Sequence, residues 1–234
     1  MTLDDPQVVR EQYAREDNLR ARQAIWVGAT GTDPKALLWR TLEEWQPKRV
    51  LEVGGGQGEL AERMVHELGA RVTFLDLSPR MVELARARGI DAREGDVQQL
   101  PFDDASFDTV VSAWMLYHVP DVDRALAEIA RVLEPGGALI AVTNSVHHLE
   151  EFRELVGYRE SLDHTFSREN GTQFLQPHFA TVGRYDADVE VAVDSRDRLV
   201  AYRDSMSWVT QPVPEDVELP FVVHGRSSIF FATT

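Results

Sequence analysis

The chain has 234 residues, 43 % of them hydrophobic, a formal net charge of −15 and no cysteine. This length supports one sizeable α/β core. The missing cysteine excludes disulfides, thiolate metal sites and a cysteine nucleophile, and fits a cytoplasmic protein. Lys35 and Lys48 are the only lysines and the arginines are scattered among acids, so the basic face needed to grip phosphate backbones is lacking and a nucleic-acid substrate is not expected. No apolar run approaches the ~18 residues of a membrane span. The start, MTLDDPQVVREQ, lacks the basic and apolar parts of a secretory signal.

The elements follow in chain order. Asp5 to Trp26 reads as a helical arm, with Asp5 as cap and Pro6 at the first helical position. Thr32-Asp33-Pro34 starts a second helix with Leu37, Leu38, Leu42 and Trp45 on one face, ended by Gln46-Pro47. Val50 to Val53 is a strand, Gly58 to Leu68 an amphipathic helix stopped by Gly69, and Val72 to Leu77 a second strand. Ser78-Pro79 caps a helix that ends at Gly89. A weak strand lies at Ala92 to Glu94 and a strong one at Phe107 to Ala113. Asp121 to Leu133 is a helix, Pro135 to Gly137 a turn and Ala138 to Thr143 a strand. Thereafter Leu149 to Gly157 and Ser195 to Trp208 look helical, and Val189 to Val193 and Ser228 to Ala232 extended.

Strands alternating with helices in this way imply a doubly wound, mostly parallel sheet covered on both faces. We expect a single domain: a helical arm over 1–46, a ligand-binding core over 47–145, and a substrate-side segment with the last strands over 146–234.

Three signals carry chemistry. The first is Glu52-Val-Gly54-Gly-Gly56-Gln-Gly58, between a strand and a helix, where an open α/β sheet binds its ligand. Its spacing is G-x-G-x-G rather than the G-x-G-x-x-G of dinucleotide sites, and Glu52 and Glu59 flank it. A pyrophosphate favours a helix N-terminus free of carboxylates, so these acids suit a ligand with a positive charge. The second is Asp76, which ends the second strand and can accept both hydroxyls of a ribose; the alternative, a cap for the next helix, is met by Ser78. The third is Asp96 in Gly95-Asp96-Val97, either an acceptor for an exocyclic amine or an ordinary turn aspartate. His118 reads either as a base or as a structural imidazole bonding nearby backbone. His147 and His148 follow the fifth strand at the ligand end of the sheet. No His/Asp/Glu set has convincing metal spacing.

From VLEVGGGQGELAERM through VTFLDLSPRMVELAR to GDVQQLPFDDASFDTVVSAWMLYHVPDVDRALAEIARVLEPGGALIAVTNS, roughly residues 48–145, the chain resembles class I S-adenosylmethionine-dependent methyltransferases, closest to the ubiquinone- and menaquinone-biosynthesis branch. The resemblance implies a seven-stranded sheet with a final antiparallel hairpin. It places Glu52, Gly54 and Gly56 against the methionine part of S-adenosylmethionine, and Asp76 at the ribose. Leu77 and Met81 pack near the adenine, Asp96 and Val97 meet its edge, and Ala113 and Trp114 line the methyl-donor end. Tyr13 to Arg22 resembles an arm that folds over the cofactor, and His164 to Gly171 a segment that walls the acceptor pocket.

The implied activity is in-line methyl transfer to an oxygen, nitrogen or carbon of a small molecule, without metal, by a monomer or a homodimer. The acceptor pocket is expected at Tyr13, Trp114, Tyr117, His147 or His148, and Phe166, and His118, His147 and His148 are the candidate bases. A non-catalytic cofactor-binding protein and, less well, a nicotinamide-dependent oxidoreductase are the alternatives.

Overall fold

Eight strands form one sheet in the computed structural model, which describes residues 21–158, 165–206 and 209–234. In chain order they are β1 (Thr30–Gly31), β2 (Arg49–Val53), β3 (Arg71–Asp76), β4 (Asp91–Glu94), β5 (Phe107–Ala113), β6 (Leu133–Asn144), β7 (Thr181–Val193) and β8 (Phe221–Thr233). The helices are α1 (Pro34–Trp45), α2 (Glu59–Leu68), α3 (Pro79–Ala87), α4 (Val122–Val132), α5 (Glu150–Leu155), α6 (Gly171–Leu175) and α7 (Arg196–Asp204), and residues 21–24 are helical.

Across the sheet the order is β1-β7-β8-β6-β5-β2-β3-β4. β4, β3, β2, β5 and β6 pair in parallel, and β8, β7 and β1 are added antiparallel. From β2 the chain winds outward through β3 to β4, then returns to the other side of β2 to lay down β5 and β6. The reversal opens a crevice at the carboxyl ends of β2 and β5, where a sheet of this kind takes its ligand.

The central strands are apolar on both faces. Leu51, Leu75, Val110 and Leu139 meet Leu126 and Ile129 of α4 on one side. Val50, Phe74 and Ile140 meet Leu42 of α1, Met64 of α2 and Val82 of α3 on the other. A third cluster joins Ile25 to Phe152 of α5, Leu199 of α7 and Val193 and Val223 of the antiparallel strands, so the segment before α1 packs against the C-terminal part of the chain.

Local chemistry sets the helix ends. The Asp33 carboxylate accepts from the Lys35 amide at 2.9 Å and Pro34 fills the first position of α1. Asp121 does the same for α4 through the Arg124 amide at 3.0 Å.

The sheet departs from the expected seven strands by β1, which pairs Thr30 with Glu190 and Gly31 with Val189 at the β7 edge. Gly31 permits this: a Cβ there would lie 2.4 Å from the Asp188 carbonyl oxygen. β7 and β8 each run 13 residues, well beyond the short strands read at Val189 to Val193 and Ser228 to Ala232.

Candidate active site

The loop after β2 is shaped around a buried acid. Glu52 is 1 % exposed, and its carboxyl lies where a Cβ on Gly55 would come within 2.4 Å of it. Glycine at 55 is therefore a packing requirement of Glu52. Gly54, at φ +67, gives similar room to Met115, whose Cγ would stand 2.2 Å from an added Cβ. Gly56, at φ +60, faces open space, so the backbone there is accessible to a ligand. Arg88 of α3 fastens the loop, its Nε donating to the Gln57 carbonyl at 2.8 Å and its guanidinium pairing with Glu62 at 2.5 Å and Glu59 at 3.5 Å. Glu59 is thus part of an ion-pair network as well as a flank of the loop.

Asp76 closes β3 beside this loop. Its Oδ1 accepts from the Ser78 amide at 2.8 Å, and the amides of Gly56 and Leu77 also bond to the carboxylate. Ser78 makes no side-chain cap bond. Ser78 keeps the N-cap position through its backbone, and Asp76 binds the Ser78 amide and still faces the crevice.

The two acids titrate abnormally. Burial and then the nearby Asp76 charge push Glu52 up to about 8. Burial raises Asp76 to about 6 against the pull of its three backbone amides. Glu52 Oε2 is buried and makes no hydrogen bond among the described residues.

A cavity of about 830 Å³ opens from this crevice. Its volume lies in the upper part of the ~300–1,000 Å³ typical of ligand sites. Glu52, Gly54, Gly56, Asp76, Leu77, Met81, Asp96, Val97, Ala113 and Trp114 all line it, so the expected cofactor residues converge. Asp96 accepts from the Gln98 amide at 2.9 Å, the turn role, while standing at the rim of the cavity. Trp114 follows β5 in the left-handed region at φ 56, a conformation uncommon outside glycine. Its amide donates to the Val142 carbonyl at 2.8 Å and its indole N–H to Asn144 Oδ1 at 3.2 Å. This fixes the ring at the end of the switch point.

The acceptor side is brought together in part. Tyr117, His118 and His148 line the cavity, as does Arg22, which was expected at the cofactor. Tyr117 and His118 share a short 3₁₀ turn, with ring centroids 4.5 Å apart. His148 Nδ1 lies 3.0 Å from the Arg226 amide nitrogen and 3.2 Å from the Arg226 carbonyl oxygen, which ties the ring to β8.

Two placements are corrected. His147 is not among the described residues that line the cavity; it pairs with Glu150 at 3.1 Å on the outer face, where the first turn of α5 directs it. Phe166 is fully buried against Phe230 at 5.6 Å and belongs to the core rather than the pocket. Tyr13 and His164 lie outside the described residues.

Residues that the sequence reading passed over complete the wall: Trp26, Phe152, Arg153, Tyr202, Met206 and Val209. They come from three distant segments that meet in the third hydrophobic cluster, and no local spacing announces them.

Among the described residues no group of three or more His, Asp or Glu could hold a metal ion, and no helix is long and apolar enough to cross a membrane.

With the crevice defined, its relatives can be compared. Residues 51–141 match the model of a methyltransferase domain. The chain is 40 % identical over 106 residues to the demethylmenaquinone methyltransferase of Thermus thermophilus, covering 42 % of this chain and 48 % of that protein. It is 38 % identical over 102 residues to the ubiquinone/menaquinone biosynthesis C-methyltransferase of Brucella anthropi, covering 39 % of each. The chain thus matches less than half the length of these curated relatives. Among solved structures, a [4+2]-cyclase superposes with a TM-score of 0.66 at 20 % identity, over 100 % of this chain and 97 % of the other. A phosphoethanolamine N-methyltransferase of Haemonchus contortus, in complex with phosphomonomethylethanolamine and S-adenosylhomocysteine, gives 0.65 at 18 % identity, over 96 % and 60 %. The fold is that of the class I methyltransferases.

Proposed function

We propose that this chain transfers a methyl group from S-adenosylmethionine to a small-molecule acceptor. The observation that carries the reading is the pair of acids at the switch point: Glu52, buried with a carboxyl oxygen that makes no hydrogen bond in the fold, and Asp76, held by three amides with its face to the cavity. A ligand bearing a cation and vicinal hydroxyls meets both. A dinucleotide does not fit as well, because α2 begins with Glu59 and Glu62 in its first turn, against the field that would hold a pyrophosphate.

In this reading Asp76 accepts the ribose hydroxyls. Glu52, beneath Gly55, takes on its negative charge when a cation enters beside it, Met81 and Val97 wall the base, and Trp114 marks the end where the acceptor approaches. The bound cofactor supplies a methyl group on a sulfonium sulfur. That methyl would be open to attack by an acceptor held in line with it, with S-adenosylhomocysteine as the leaving product. The protein's part is to hold the acceptor in line and keep water out, which favours reaction by lowering its entropic cost. His118 and Tyr117, beside Trp114, are the groups placed to orient the acceptor or take its proton. The relatives are named as a ubiquinone/menaquinone biosynthesis C-methyltransferase and a demethylmenaquinone methyltransferase, which accords with an acceptor other than a nucleic acid or a protein.

Calorimetry with S-adenosylhomocysteine and with NAD(H) tests the cofactor. Binding of the first without competition from the second is expected, and tight NAD(H) binding with no response to the sulfur compound would overturn it. Transfer of label from methyl-labelled S-adenosylmethionine to an acceptor then separates catalysis from mere binding.

A further inference from the structure

Three adjacent strands are joined by side chains at the carboxyl end of β6. Asn144 is the last residue of β6, Ser227 of β8 stands opposite it in the antiparallel register, and Trp114 follows β5 on the other side. The Ser227 hydroxyl donates to Asn144 Oδ1 at 2.9 Å, and the Trp114 indole N–H donates to the same oxygen at 3.2 Å. The backbone here is pinned as well. The Arg168 amide donates to the Asn144 carbonyl at 3.0 Å, and the Ser145 amide to the Arg226 carbonyl at 2.9 Å. Asn144, Ser227 and Trp114 all line the cavity.

These bonds fix which way round the Asn144 amide lies. An indole N–H can only donate, so the atom it meets is the amide oxygen and not the nitrogen. An amide oxygen has two lone pairs, and Trp114 and Ser227 occupy both. What Asn144 has left to offer is its NH2 group, which makes no hydrogen bond among the described residues. The side chain is half-buried on the cavity wall. Holding Trp114 requires only an oxygen, which a carboxylate would supply equally well. The amide adds donors, and a donor withdrawn from water without a partner costs free energy until a ligand accepts from it.

We propose that Asn144 selects the methyl acceptor: its amide N–H donates to an oxygen of that molecule, a carbonyl or a hydroxyl, and holds the oxygen beside Trp114. This rests on the methyl-transfer reading, which makes Trp114 the end where the acceptor approaches. Because Trp114 and Ser227 anchor the amide, the donor is already aligned before the acceptor arrives. A ligand without the oxygen leaves that donor unpaired and is discriminated against.

The test uses the full chain, nitrogen-labelled for two-dimensional NMR, and three probes of one shape: tetralone, tetralol and tetralin, each titrated with and without S-adenosylhomocysteine. Their bicyclic body suits a cavity that Trp26 and Phe152 also wall. The ketone and the alcohol are expected to bind about three- to tenfold tighter than the hydrocarbon, as one neutral hydrogen bond implies. They should shift the Asn144 side-chain amide signals, which tetralin should leave in place, and should bind together with S-adenosylhomocysteine rather than against it. Tetralone ahead of tetralol assigns a carbonyl, and the reverse order a hydroxyl.

Asn144→Asp separates selection from support. It keeps an oxygen for Trp114 and Ser227 but removes the NH2 group, so the Trp114 indole signal should hold while the preference for oxygen is lost. An undiminished preference in this variant would make Asn144 a support for Trp114 and nothing more. If the variant disturbs Trp114, the wild-type amide signals decide: movement with tetralone and tetralol alone upholds the proposal, and equal movement with all three probes overturns it. Equal affinity for tetralone and tetralin, binding of none of the three, or displacement of S-adenosylhomocysteine by tetralone also overturns it. Failure of S-adenosylhomocysteine to bind while the oxygen preference holds would instead remove the cofactor reading and leave the Asn144 site standing.

Discussion

Glu52→Gln should change how stability depends on pH, and the change follows from the position of one carboxyl. Glu52 ionises near 4.5 in the unfolded chain and near 8 in the fold, where burial and Asp76 oppose its charge. A carboxyl raised in this way binds more protons in the folded state between those values, so its contribution to stability is present below about 4.5 and lost as pH rises through 8. At about 1.36 kcal/mol per pH decade the full loss is of the order of 5 kcal/mol, and about 4 of it falls between roughly pH 5 and 9. Glutamine has nearly the same shape and does not titrate. Urea unfolding of wild type and Glu52→Gln at pH 5, 7 and 9, without ligand, should therefore show the variant gaining on the wild type by several kcal/mol across that range. Parallel curves would mean that Glu52 is ionised and compensated in the empty fold, and the electrostatic account of the crevice would fall. The same logic gives a second readout. A cation that enters beside Glu52 favours its charged form, so S-adenosylhomocysteine binding near pH 7 should release protons and show an enthalpy that depends on the buffer.

Three further outcomes are expected. Asp76→Ala removes an acceptor of two ribose hydroxyls and should weaken S-adenosylhomocysteine binding by about 2–4 kcal/mol, given ~1.5–3 kcal/mol per charged hydrogen bond; unchanged affinity by calorimetry would make Asp76 a purely structural residue. Gly55→Ala drives a Cβ to 2.4 Å from the Glu52 carboxyl. It should cost about 1–3 kcal/mol in unfolding experiments as an overpacking change. Combining it with Glu52→Ala should cost less than the sum of the two single changes, and strict additivity would deny the contact. Methyl transfer should survive EDTA, and loss of turnover that a divalent ion restores would show that a metal takes part.

The parallel half of the sheet was legible because its signals are local. β2, β3, β5 and β6 announce themselves as apolar runs bounded by glycine, proline and capping residues, and Phe107–Ala113 has the predicted ends. The antiparallel half was hard to read because β7 lies largely exposed along Thr181–Asp186, where the chain does not alternate apolar with polar. Such a strand is specified by pairing with β8, a long-range relation that a reading of neighbours does not contain.

The same distinction separates the cofactor end from the acceptor end. Glu52, Asp76 and Trp114 each follow a strand and inherit their position from it. Phe166 was assigned to the pocket by resemblance. It lies in the core because Gly171 leaves space that the Phe166 and Phe230 rings occupy, with an added Cβ only 2.6 Å from Phe230. Arg153 and Tyr202 gave no warning, since their meeting depends on Phe152 packing edge-on against Tyr202 at 5.0 Å across separate segments.

A net −15 speaks for solubility and against phosphate backbones, but it averages over a cavity that both signs line, Glu52, Asp76 and Asp96 with Arg22, Arg63 and Arg153. Glu52 does not serve stability. An apolar residue in its place would avoid the desolvation that lifts it to about 8. A group that acts against the fold makes physical sense once a ligand relieves it, and a cation entering beside Glu52 does so by favouring its charged form.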